Sequence, residues 1–107
     1  VFHCFVDEPV RMREVLDLGS IVSFTGIATF NNAETVRETI AAVPEDAFML
    51  ETDSPYLAPV PFRGKRCEPA YVLHVAEKVA GIRGVTLDEL GRSTCAVAEK
   101  FFRYDRA

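Results

Sequence analysis

The chain has 107 residues, of which 49% are hydrophobic and 26% charged, the balance of one folded domain of ordinary size. No apolar stretch approaches the ~20 residues a spanning helix needs, and no basic-then-apolar segment opens the chain, so a cytoplasmic globular piece is expected. The formal net charge of −4 argues against a broad nucleic-acid-binding face, which carries a basic surplus; a small basic patch or a bound cation can still handle a phosphate locally.

In chain order, Val1 to Phe5 is rich in β-branched and aromatic residues and predicts a short buried strand. This opening has neither an initiating Met nor a polar lead-in, so the expectation is a piece of a longer chain. Pro9 suits the first turn of a helix, Val10, Met12, Val15, Leu16 and Leu18 roughly follow helical spacing, and Gly19 ends it. Ile21 to Phe24 is a second strand, closed by Gly26. Asn31 or Asn32 is a natural N-cap for a second helix with Val36, Ile40 and Val43 on one face, stopped by Pro44. Ala47 to Leu50 is a third strand, running into Glu51-Thr52-Asp53.

Ser54 to Pro69 holds Pro55, Pro59, Pro61 and Pro69, and reads as a long ordered loop of the kind often used for function. Tyr71 to Ala80 is helical, with Val72, Val75, Ala76 and Val79 on one stripe. Thr86 and Glu89 form a capping box for a last helix that runs to about Phe102.

This alternation predicts an α/β fold of parallel β/α units. Two completions are open: a small three-layer sandwich, or the last three units of a TIM-type (β/α)8 barrel, whose usual length is about 250 residues. The opening residues favour the second.

In such folds functional groups gather at the C-terminal ends of the strands. His3 lies in the first strand and Asp53 directly after the third. A neutral imidazole and a carboxylate suit Zn²⁺, Mn²⁺ or, through the carboxylate, Mg²⁺. The plainer alternatives are a core histidine with a satisfied ring nitrogen and an aspartate that forms a turn before Ser-Pro. Two ligands do not close a protein site, since zinc takes three or four.

Arg63-Gly64-Lys65-Arg66 is the one dense positive patch, a phosphate clamp or a solvated loop. Tyr56 and Phe62 beside it can stack on a base, or pin the loop to the fold. His74 is expected to be structural or solvent-facing. Cys4 alternates to the face opposite His3, which argues against a Cys–His pair. Cys4, Cys67 and Cys95 form no CxxC pair, so a zinc finger has little support and free thiols in a reducing compartment are expected.

Phe2-His3-Cys4-Phe5 resembles the HCF motif of TatD-type hydrolases. Glu51-Thr52-Asp53-Ser54-Pro55-Tyr56-Leu57-Ala58-Pro59 resembles the ETDSPYLAP signature of the same family, and Arg63 to Arg66 with Glu68-Pro69 resembles the stretch that follows it. The long motif around Asp53 is highly specific; HCF alone is weak. The resemblance covers essentially residues 1–107 as the C-terminal part of one metallo-hydrolase barrel, from about strand six to strand eight. It implies one or two divalent metals, a metal ligand at His3, a catalytic and metal-centre role at Asp53, and Arg63 and Arg66 near substrate phosphates. The implied activity is that of a metal-dependent DNase, with DNA as the substrate of the whole enzyme.

Three departures stand out. Val6-Asp7 follows HCF where the family has Ser-Gly, Cys67 replaces an Asn, and Val97 stands where an Asn is frequent. The family's H-x-H motif, a Glu and a further His belong to strands outside this chain. These residues alone are therefore expected to be inactive. The rivals are an ester or amide hydrolase of the wider amidohydrolase group, and a fragment that self-associates through open sheet edges.

Overall fold

Helix α1 (Pro9–Asp17) begins where the fixed φ of Pro9 matches the helical value and its missing N–H costs nothing. It ends at Leu18, followed by Gly19 at φ 82°. The computed structural model describes residues 1–103. Strand β1 (Val22–Phe24) leads through a 3-10 turn at Gly26–Thr29 to α2 (Glu34–Ala42). Strand β2 (Phe48–Leu50) leads through the proline-rich loop and a short 3-10 turn at Pro69–Tyr71 to α3 (Val72–Arg83) and α4 (Leu87–Phe102).

β1 and β2 pair in parallel, Val22 opposite Phe48 and Phe24 opposite Leu50. The expected first strand is reduced to one parallel bridge, Phe2 to Val22. The cause is local. A regular parallel ladder with that bridge would bring the Cys4 N–H to the Ser23 carbonyl. Phe5 donates to it instead, at 2.9 Å, so the segment holds one residue more than the ladder needs. Cys4 is that residue, at φ 50°.

Period-two alternation sorts the sheet into two faces. Val22, Phe24 and Phe48 belong to one buried cluster with Met12 and Val15 of α1, Val36 and Ile40 of α2, Val75 and Val79 of α3 and Leu90 of α4. The Phe24 and Phe48 rings meet at 5.8 Å. Burying each aromatic of this kind contributes about 1.5–3 kcal/mol relative to exposure. Met49 is buried yet lies outside that cluster, as its parity requires, and Ser23 opposite it shares its face. The helices thus pack in sequence order, each against the next, with α3 and α4 reaching past β2 to the rim of the sheet's other face. This is an α/β arrangement of two layers. A sandwich of three layers would need helices on both faces.

The helix ends are fixed partly by contacts within one turn and partly by side chains from further along the chain. Thr86 accepts from the Glu89 N–H at 3.1 Å while the Glu89 carboxylate reaches the Thr86 N–H at 3.3 Å, the expected capping box. The N-cap of α2 is Ala33, not Asn31 or Asn32. Arg37 instead ties down the turn before α2, donating to the carbonyls of Ala28 and Asn31 at 3.3 and 3.2 Å. Val36, Ile40 and Val43 are buried as expected, whereas Val10 and Leu18 are exposed and only Met12 and Val15 of the α1 set are fully inside. No helix among the described residues is long and apolar enough to cross a membrane.

Candidate metal site

The face of the sheet away from the helical core carries the polar groups. His3 is level with Ser23 and Met49 by register, and these three with Glu51 line one cleft of about 510 Å³. Its opposite wall is apolar, built from Leu73 and Ala76 of α3 and Ala98 and Phe102 of α4. His3 itself is exposed.

Glu51 organises this end of the sheet. Its N–H donates to the Phe24 carbonyl at 2.9 Å, which continues the β1–β2 ladder by one step. Its Oε2 accepts from the Cys4 N–H at 2.9 Å and from the Ser23 hydroxyl. One side chain therefore links β2, β1 and the segment bearing His3. Cys4 itself turns its sulfur toward Thr25, with Sγ 3.7 Å from Oγ1. The left-handed bulge at Cys4 interrupts the alternation that would have set its side chain opposite His3.

Asp53 sits in a tight turn just past β2. Its carbonyl accepts from the Tyr56 N–H at 2.7 Å, and the Thr52 and Ser54 hydroxyls meet at 2.9 Å within the same turn. The Asp53 side chain is exposed and is not part of the lining of the His3 cleft. The peptide bonds before Pro55 and Pro61 are cis.

The loop that follows is anchored from below. Ala58 and Pro59 are buried, and the Thr29 hydroxyl accepts from the Val60 N–H at 2.8 Å while donating to the Gly26 carbonyl at 2.7 Å. Phe62 stacks on Tyr71 at 4.5 Å and meets the edge of His74 at 5.2 Å. Phe62 is thus a pin for the loop, and His74 is structural. Tyr56 remains exposed. Arg63 and Arg66 are both exposed, and the Arg63 guanidinium lies 3.9 Å from the centre of the Phe30 ring.

A family model described as TatD related DNase matches residues 1–103. The chain belongs to the TatD family. Among its relatives are two described as uncharacterized metal-dependent hydrolases. One is YcfH of Escherichia coli K12, 47% identical over 105 residues that make up 98% of this chain and 40% of YcfH. The other is YabD of Bacillus subtilis, 40% identical over 103 residues, 96% of this chain and 40% of YabD. Two crystal structures share the fold. YjjV, a TatD homolog from Escherichia coli K12, superposes with a TM-score of 0.88 at 24% identity over 94% of this chain and 39% of its own. A TatD-family hydrolase from Entamoeba histolytica does so at 0.85 and 19% identity, over 96% and 42%. The chain thus spans about 40% of the length of these relatives.

In this TatD-family chain the donor chemistry suits a divalent cation, but the donors present do not complete a site. No group of three or more His, Cys, Asp and Glu side chains converges among the described residues. The structure brings His3 and Glu51 to one cleft and leaves Asp53 and the Arg63–Arg66 loop outside it. Glu51 was not singled out as a functional residue from sequence, although its parity with Met49 places it on the polar face. Cys67, the departure from an expected Asn, is buried with its N–H on the Pro55 carbonyl at 2.9 Å, and Val97 is buried in α4. Both departures are absorbed by packing.

Proposed function

We propose that this chain is the C-terminal portion, about strands six to eight, of a (β/α)8 metal-dependent hydrolase that cleaves phosphodiester bonds in DNA. The observation that carries the reading is the division of the sheet into a helix-covered face and a face bearing His3, Ser23 and Glu51, which is how barrel strands present an interior. Membership of the TatD family supports it.

In this reading His3, as a neutral imidazole, and Asp53 hold a divalent cation, Mg²⁺ foremost, with Zn²⁺ and Mn²⁺ as alternatives. When bound, the cation supplies Lewis-acid polarisation of a phosphoryl oxygen and a more acidic water. Asp53 orients that water or takes its proton. Arg66 offers its guanidinium fork to a phosphate from the exposed loop, and Arg63, held over Phe30, adds a second positive charge beside it. These local cations act against an overall charge of −4.

The test is a substrate panel. A protein of the relatives' full length carrying these residues is offered DNA, aminoacyl-tRNA and small amides, with Mg²⁺ or Mn²⁺ and with EDTA. DNA cleavage that EDTA abolishes supports the reading, and turnover confined to amides or esters overturns it. The 107 residues alone are expected to be inactive; turnover by them that disappears in Asp53→Ala would show that they suffice.

Self-association is a second reading, favoured by one observation. β2 has no strand partner on its outer edge among the described residues, and Leu73 and Phe102 are exposed beside it. α4 covers the strand itself, so the surface open to a second copy is the apolar rim at Leu73 and Phe102. Size-exclusion chromatography over a range of concentrations tests it, and a monomer throughout rules it out.

A further inference from the structure

We infer that Glu51 is the positioning residue for His3: its carboxylate holds the bulge at Cys4 that sets where the imidazole stands. The inference rests on the metal-site reading above and adds a residue to it.

Three observations meet here. Cys4 is at φ 50°, a conformation unfavourable for a non-glycine residue that persists only where surrounding bonds hold it. Its N–H has left the ladder, since Phe5 takes the Ser23 carbonyl. That N–H is satisfied by Glu51 Oε2 at 2.9 Å, and the same oxygen accepts from the Ser23 hydroxyl. Were the carboxylate absent, the Cys4 N–H would lack this partner, and a regular ladder would offer it the Ser23 carbonyl. Taking that carbonyl would displace Phe5 and shift the register of the residues after Cys4, while the Phe2–Val22 bridge keeps His3 level with Ser23. The N–H that Glu51 holds belongs to the His3–Cys4 peptide, so closing the bulge turns that peptide and, with it, the backbone from which the imidazole enters the cleft.

Glu51 is placed to do this from a rigid base. Its own N–H is fixed on the Phe24 carbonyl, so its side chain reaches across β1 from a backbone that the ladder holds. Partners of this kind orient metal ligands, and their loss costs about 10–100-fold in metal affinity.

The test uses the ¹⁵N-labelled 107-residue chain, with Mn²⁺ as the probe. Two quantities are read: amide exchange at Cys4 and Phe5, and the Mn²⁺ concentration that half-broadens the His3 imidazole signals. In Glu51→Met, which keeps the stem and removes the acceptors, Cys4 protection is lost while the core amides of β1 stay protected. The Mn²⁺ midpoint at His3 rises by about 10–100-fold. Glu51→Gln retains an oxygen acceptor and restores much of both. If the Met variant does not fold, the Gln variant decides. A neutral acceptor is weaker, so Cys4 exchanges faster than in the parent while the β1 core is unchanged. Unchanged Cys4 exchange, or equal acceleration of Cys4 and the β1 core, overturns the inference. A parent chain whose His3 responds to Mn²⁺ just as the variants do overturns the positioning role alone. A parent chain whose His3 ignores Mn²⁺ overturns the metal reading and the positioning role with it.

Discussion

Gly26 lies directly against the carbonyl of Leu57. A Cβ built on Gly26 would overlap that oxygen and stand 3.0 Å from the Pro59 nitrogen and 3.2 Å from its Cα. All three neighbours are backbone or ring atoms that cannot swing aside. The loop carrying Asp53 is therefore seated on the turn after β1, and the absence of a side chain at Gly26 sets how closely it sits. Gly26→Ala is expected to destabilise the fold by about 1–3 kcal/mol, the usual cost of overpacking. Thermal denaturation measures the loss, and amide chemical shifts from Asp53 to Pro59 should move while those of α4 do not.

Arg83 joins two helices far from the polar face. Its Nη1 donates to the carbonyls of Ile40 and Val43 at 2.8 and 2.6 Å, and its guanidinium lies 4.9 Å from the Phe48 ring centre. These carbonyls sit at the end of α2, where helical partners run out. Arg83→Met should lower stability by about 1–3 kcal/mol. Cation binding at His3 should stay unchanged, which a Mn²⁺ titration of the same variant checks.

The capping box of α4 offers a cleaner local test. Thr86→Ala removes the acceptor for the Glu89 N–H and should cost about 0.5–2 kcal/mol in urea unfolding. Glu89→Ala should cost less, because the Thr86 N–H it leaves behind is exposed to water.

The two arginines of the loop should separate. Arg63 packs on Phe30, so Arg63→Ala is expected to lower stability by about 0.5–1 kcal/mol as well as weaken substrate binding. Arg66 is exposed, so Arg66→Ala should leave the melting temperature alone. In the longer protein it should raise KM for DNA by about tenfold or more, the loss of one charge-assisted hydrogen bond of ~1.5–3 kcal/mol.

Much of the fold was legible because it is written locally. Pro9, Gly19, Pro44 and the Thr86–Glu89 pair mark helix ends through contacts within one turn, and the alternation of elements follows from them. The first strand was only partly legible. Its bridge to β1 depends on where the Cys4 N–H goes, and Glu51, which takes it, is distant in sequence. The N-cap of α2 was misplaced for a similar reason: Arg37 ties down the preceding turn from inside the helix, so neither Asn was needed. At the site, His3 and Asp53 stood out by residue type and by position, His3 within the first expected strand and Asp53 directly after the third. Glu51 did not, because its role is to hold a backbone N–H across β1. The basic loop looked like one patch, whereas packing against Phe30 makes Arg63 and Arg66 different.

DNA hydrolysis by the longer protein, measured with Mg²⁺ in the parent and in Asp53→Ala, tests the metal-dependent reading most directly. The expected result is cleavage by the parent that EDTA stops and added Mg²⁺ or Mn²⁺ restores, with the Asp53 variant slower by at least about a hundredfold, the scale of a lost acid–base group. Cleavage that survives EDTA, or that is as fast without the Asp53 carboxylate, would contradict it.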